Sequence, residues 1–167
     1  MAGFDEVKAS FWSDSAYGAL PPLTGVAISE AEGSLGLRLP GSLLELLWVQ
    51  NGGVVSGRWN AFRTGSPTSW SSNHVPLRAM FGIGSTDCFG SLLYSPYLVR
   101  EWGMPSPVVL LSGEGPFWIA LDYRVVSTGE PAVTWFDQDD NEERLLAKDF
   151  RSFVEGLTAA SQFTEGS

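Results

Sequence analysis

Three apolar, strand-type runs crowd one stretch of the chain: SPVVLLSG (106–113), FWIALDYR (117–124) and PAVTWFDQD (131–139). Each is rich in β-branched or aromatic residues and bounded by glycine or proline, the punctuation of strands and turns. The gaps between them are only three and six residues. A parallel pair needs a crossover of about a dozen residues or more, so these strands must pair as an antiparallel meander. An alternating βαβ architecture is excluded for this part of the chain.

The preceding half reads differently. ISEAEGSLGLRLP places Ser29 three residues before Glu32, the spacing of a capping box, so a short helix is expected to begin there and to end at Gly36. Pro40 suits a first helical position and opens a second helix to about Gln50. Leu43, Leu44, Leu46, Leu47, Trp48 and Val49 surround most of its circumference, the pattern of a buried helix. Asn51-Gly52-Gly53 follows. Glycines behind an apolar run can cradle phosphate, but phosphate loops present the amides that open a helix. These follow one, at the negative end of its dipole, so they read as a left-handed turn into the sheet.

Residues 54–75 are irregular, with one strand expected around Trp59 to Phe62. Their aromatics, Trp59, Phe62 and Trp70, either fold down on the core as a lid or stay available to a partner. LRAMFGIG (77–84) and SLLYS (91–95) read as short strands. Ser95-Pro96 opens a helix that Gly103 closes, and Asp149 caps a last helix in which Phe150, Phe153, Val154 and Leu157 recur at helical spacing. Helices first, strands next and a helix last give the α+β class: a mostly antiparallel mixed sheet flanked by helices. The 167 residues fit one domain, expected over 1–160, with a short polar tail at 161–167.

Chemistry finds no foothold in the sequence. Neither lysine stands in a P-loop. GIGSTD (82–87) begins like a dinucleotide loop but places Asp87 where the third glycine belongs. One histidine, His74, and one cysteine, Cys88, cannot build the usual zinc sets. Asp137, Asp139 and Asn141 match the first calcium-loop positions, but Glu142 replaces the required glycine and Lys148 the required glutamate. No Gly-x-Ser-x-Gly elbow occurs. The expectation is a protein with no catalytic residues, cofactor or metal, and not an enzyme. DQDDNEE (137–143) reads as a solvated loop.

Charge supplies the remaining constraint. The net charge is −9. Residues 1–83 carry five Arg/Lys and six Asp/Glu, and residues 84–167 carry five and thirteen. Such a field repels nucleic acid and acidic lipid and attracts basic partners, although acidity also serves solubility. The single cysteine excludes an intrachain disulfide, the first residues do not read as a signal peptide, and no run approaches a membrane span. A cytoplasmic protein is expected.

AEGSLGLRLPGSLLELLWVQNGG (31–53) carries Glu32, Leu35-Gly36, Leu39-Pro40, an apolar helix and Asn51-Gly52-Gly53 in order. This set resembles the signature of the SUKH superfamily, the Smi/Knr group named from a fungal cell-wall-synthesis regulator linked to killer-toxin resistance. FWSDSAYGALPPLT, SGEGPFWIALDYR, PAVTWFDQDD and AKDFRSFVEGL resemble further family segments in the same order. Glu114 and Asp149 depart from the family's usual Asp and Ser. The resemblance implies an α+β fold and no catalytic residues. It also implies one of two roles. Bacterial members are commonly immunity proteins that bind and neutralise a secreted toxin, frequently a nuclease, while fungal members look like regulatory scaffolds. A nuclease toxin is basic where it grips phosphate. The expected partner is therefore a basic toxin domain, with no nucleic acid or membrane partner. It would meet Asp137, Asp139, Asp140, Glu142 and Glu143, with Trp135, Trp59 and Trp70 as aromatic anchors.

Overall fold

The computed structural model describes residues 2–127 and 129–163. Three helices come first: α1 (Phe4–Ala9), α2 (Gly25–Leu35) and α3 (Gly41–Val49). Four short strands follow: β1 (Gly53–Val54), β2 (Ala61–Arg63), β3 (His74–Pro76) and β4 (Ala79–Met80). A 3-10 turn (Leu92–Tyr94) leads into α4 (Ser95–Glu101). The main sheet is β5 (Val108–Glu114), β6 (Phe117–Ser127), β7 (Glu130–Asp137) and β8 (Glu142–Ala147). The chain continues through α5 (Phe150–Glu155), β9 (Leu157–Thr158) and a 3-10 turn at Ala160–Phe163.

The fold is α+β, as the run of elements implied. Strands β5–β8 form an antiparallel meander in chain order. Two small antiparallel sheets, β1–β4 and β3–β2–β9, stand apart from it. Gly82 and Ser91 make an isolated parallel bridge. The core gathers Phe4, Phe11, Leu43, Leu46, Trp135 and Phe150, each essentially inaccessible.

Several local expectations change. Helix α2 begins earlier than Ser29, with the Thr24 hydroxyl accepting from the Ala27 N–H at 3.1 Å. Glu32 does not reach back to a cap. Its carboxylate instead accepts from the Leu39 N–H at 2.8 Å, tying the exit of α2 to the entry of α3. Gly36 ends α2 at φ 68, where the left-handed turn was expected. Pro40 is the N-cap rather than the first residue of α3. That helix buries only Leu43, Leu46 and Leu47, while Trp48 is 53% and Val49 61% exposed. Nine residues lying against one side of a core can bury only one stripe. Ser91–Tyr94 is not a strand, because the Ser91 hydroxyl accepts from the Leu93 N–H at 3.1 Å and starts a 3-10 turn instead. Within the expected polar tail, Phe163 is buried and stacks on His74 at 4.3 Å. Residues 164–167 of that tail lie outside the described ones.

The segment after α3 is a junction of main-chain packing. Gly52 and Gly53 both have positive φ, 88 and 133. Asn51 is 4% exposed and is satisfied by three hydrogen bonds. Its amide donates to the carbonyls of Pro21 (2.8 Å) and Ile83 (2.9 Å), and its oxygen accepts from the Ile83 N–H at 2.8 Å. A Cβ on Gly82 would stand 2.4 Å from the Asn51 carbonyl oxygen, so the two backbones touch only because Gly82 has no side chain. The Gly84 N–H is taken by the Ser91 hydroxyl at 3.0 Å. The first three amides of GIGSTD, those of Gly82, Ile83 and Gly84, are thus occupied from within.

The aromatics of 54–75 fold inward. Trp59 is buried and donates its indole N–H to the Ser10 hydroxyl at 3.0 Å. Phe62 stacks on Phe153 at 5.1 Å, and Trp70 meets Phe117 edge to face at 5.2 Å.

Candidate protein-binding surface

DQDDNEE forms the turn between β7 and β8, and its last two acids are already strand. Opposed residues share a face of a sheet, and alternate residues along a strand do too. Asp137 pairs with Glu142 and Trp135 with Arg144, on the same face as Phe117 and Ile119. Glu143 pairs with Phe136 on the opposite face. The acids that stand together in sequence are therefore split between two faces and a turn.

Asp137 is 2% exposed and is spent on holding the turn. One carboxylate oxygen accepts from the N–H groups of Asp139 (2.9 Å) and Asp140 (3.3 Å). The other accepts from the Ser69 hydroxyl. Glu142, half-buried, accepts from the Ser69 N–H at 3.0 Å, and Arg144 donates to the carbonyls of Ser66 (3.2 Å) and Pro67 (3.0 Å). The 66–70 segment is thereby laced to the β7–β8 hairpin. Asn141 closes the turn at φ 52, a conformation that asparagine tolerates better than most residues.

On the other face Glu143 accepts from Arg124 at 3.1 Å. Arg124 also grips Asp122 with two donors, both at 2.9 Å, and the Thr134 hydroxyl donates to Asp122 at 2.9 Å. Asp122 is 1% exposed, so this is a buried carboxylate fully paired. Sequence reasoning missed the pair, although the i, i+2 spacing of Asp122 and Arg124 in a strand was the signal for it.

Asp139 and Asp140 are exposed at the tip. Glu143 is exposed but paired, and Glu142 and Asp137 are structural partners of Ser69. Of the aromatic anchors, Trp135 is 1% and Trp59 8% exposed. Phe117 joins Trp135 to Trp70 through ring contacts at 6.1 and 5.2 Å, whereas Trp59 is held elsewhere by Ser10 and Arg58.

Burial pushes the carboxyls of Asp122, Asp137 and Asp149 up, but hydrogen bonds outweigh it and hold all three below the ordinary range. Arg124 and Thr134 act on Asp122, the Ser69 hydroxyl with the turn amides on Asp137, and the Ser152 N–H on Asp149. A carboxyl whose pKa is lower folded than unfolded contributes stability above its unfolded value, about 3.9, and loses it as pH falls through the folded value. The urea midpoint should therefore hold from pH 7 to about 5 and fall steeply below about pH 4. Asp122→Asn should flatten the acid limb and lower stability at pH 7. An unchanged acid limb would remove Asp122 from this linkage.

The His74 Nδ1 lies 2.8 Å from the Asn73 Oδ1, which calls for a proton on that nitrogen, the Ser71 hydroxyl donates to the His74 carbonyl at 2.7 Å, and the ring stacks on Phe163. Among the described residues no group of three or more His, Cys, Asp or Glu is placed to hold a metal ion. Among them also, no helix is long and apolar enough to cross a membrane.

No curated protein matches the chain significantly. A family model does, over residues 22–156, from the approach to α2 through Gly156, the C-cap of α5. That span holds the Asn51 junction, the meander and the acidic hairpin together, and on it the chain belongs to the SMI1/KNR4 family (SUKH-1).

Proposed function

We propose that this protein is an immunity protein, which binds a basic toxin domain of nuclease type in the cytoplasm and neutralises it stoichiometrically, without turnover. Family membership supports a protein partner. The observation that carries the reading is the β7–β8 turn, where Asp139 and Asp140 project from a hairpin braced by Asp137, Ser69 and Arg144. Acids on a rigid mount attract a cationic face and lose little freedom on binding. The expected surface is thus narrower than the acidic segment as a whole. Asp139, Asp140 and the outer edge of Glu143 meet the partner, while Asp137 and Glu142 hold the hairpin.

Co-expression with a candidate toxin domain, should a neighbouring gene encode one, tests the reading. Rescue of growth and a one-to-one complex are expected. Asp139→Asn with Asp140→Asn should slow association by about ten-fold at low salt and flatten its salt dependence, with thermal stability unchanged. Equal rates and equal salt slopes would remove the turn from the interface. A regulatory scaffold of the Smi/Knr type would instead give no rescue and an endogenous partner.

A further inference from the structure

A cavity of about 340 Å³ opens between the face of the main sheet and the 70–89 region. Its walls are rings and glycine backbone: Trp70, Phe81, Phe117 and Trp135 line it, with Gly113 beneath. Two further aromatics flank it with most of their surface in solvent, Tyr17 at 82% and Phe89 at 59%. Phe89 meets Phe81 edge to face at 5.5 Å. The only lining residues that carry a full charge are Arg78 and Glu114, paired at 3.4 Å and both largely exposed. Arg78 also lies over the Trp70 ring at 5.4 Å. None of this belongs to the acidic turn, although the Ser69 bonds hold Trp70 beside it.

The walls decide what fits. An anion would face the negative faces of the rings, and a cation would meet a Glu114 already neutralised by Arg78 and a Trp70 ring already covered by Arg78, so the lining favours an uncharged group. An aliphatic chain would fill space but forgo the edge-to-face contacts that a ring would make with Trp70, Phe117 and Trp135. The volume falls in the range of small-ligand pockets and accommodates one aromatic side chain. The two charges suit a peptide. An extended residue presents its own N–H and C=O on the same side. Glu114 can accept from the first while Arg78 donates to the second.

We propose that this cavity seats the ring of one aromatic residue from an extended segment of the partner protein, with that residue's backbone read by Arg78 and Glu114. The inference rests on the reading that the chain works by binding a protein, and it adds the chemistry of the anchor. Aromatic anchors in preformed pockets commonly carry most of the energy of an interface.

The test titrates the full chain, labelled at its indole nitrogens, with a capped peptide, acetyl-Ser-Ala-Phe-Ala-Ser-amide, and with its leucine and alanine counterparts. The phenylalanine peptide should move the Trp70 and Trp135 indole signals saturably, at millimolar concentration. The leucine peptide should bind at least about five-fold more weakly, and the alanine peptide should leave both signals in place. Phe89→Ala, at an exposed site, should weaken the phenylalanine peptide by about five-fold with thermal stability unchanged. Arg78→Ala with Glu114→Ala should weaken the capped peptide several-fold.

Equal binding of the alanine peptide, or no effect of Phe89→Ala, would overturn the proposal. Free phenylalanine binding as tightly as the capped peptide would also overturn it, by assigning the cavity to a free amino acid. The functional reading stands or falls separately. A toxin complex unaffected by Phe89→Ala sinks the anchor alone, while peptide binding without any toxin complex sinks the immunity role alone.

Discussion

Asn51→Ala should lower the free energy of unfolding by about 4 kcal/mol, a large effect for one polar side chain. The residue is 4% exposed, and its three hydrogen bonds join the end of α3 to two other segments, at Pro21 and at Ile83. Truncation leaves the Ile83 carbonyl and N–H buried without the partner they had, and strips the part-buried Pro21 carbonyl of its donor. Each such group costs about 1–3 kcal/mol. The Gly82 main chain packs directly against Asn51, which leaves the backbone little room to relax. Asn51→Asp should not rescue, because a carboxylate cannot donate to the Pro21 and Ile83 carbonyls. Chemical denaturation of the three proteins measures the effect. A loss below about 1 kcal/mol for the alanine variant would show that these bonds are replaceable.

Gly52→Val should be comparably damaging, at about 3–4 kcal/mol, for two reasons that add. Its φ of 88 is hostile to a β-branched residue, and a Cβ would stand 2.7 Å from the Gly82 nitrogen and 3.3 Å from the Met80 carbonyl oxygen. Those neighbours are main chain and cannot step aside. Gly53→Val offers the informative contrast. Its φ is 133, but the nearest atom to its Cβ, at 2.6 Å, is the Gln50 Nε2, the tip of a flexible side chain. The expected loss there is about 1–2 kcal/mol, mostly backbone strain. Reversal of this order would mean that strain, and not contact with Gly82, sets the cost. The Gly52 and Asn51 changes strike one junction, so the double variant should lose less than the sum of the two.

The elements legible in the sequence were those governed by local rules. Short gaps between 106 and 139 dictated the antiparallel meander, and Asp149, Gly36 and Gly103 punctuated helices where expected. The glycines after α3 were readable as left-handed turns. What they turn around was not, because Asn51 is satisfied by residues some thirty positions away on either side. Ser29-x-x-Glu32 misled because the capping-box spacing also occurs inside helices, and Glu32 found its partner across a turn at Leu39. The acidic segment illustrates the limit most clearly. Its composition suggested one patch, but β8 takes Glu142 and Glu143 into a strand, and strand alternation sends them to opposite faces. Only long-range pairing reveals that Ser69 is the residue for which Asp137 and Glu142 are needed. The aromatic cavity was likewise out of reach, since Trp70, Phe81, Phe117 and Trp135 meet only once the meander and the 54–89 region are packed together.

The bracing of the β7–β8 turn has an evolutionary consequence. Asp137 grips positions 139 and 140 by their main-chain N–H groups, which every residue but proline supplies. The conformation of the tip therefore places almost no demand on the side chains displayed there, while Asn141, at φ 52, and the buried Asp137 are constrained by the backbone they hold. Positions 139 and 140 can drift in sign and size while the hairpin keeps its shape. A protein built this way can change the side chains it displays at the tip by substitutions that leave its stability nearly untouched.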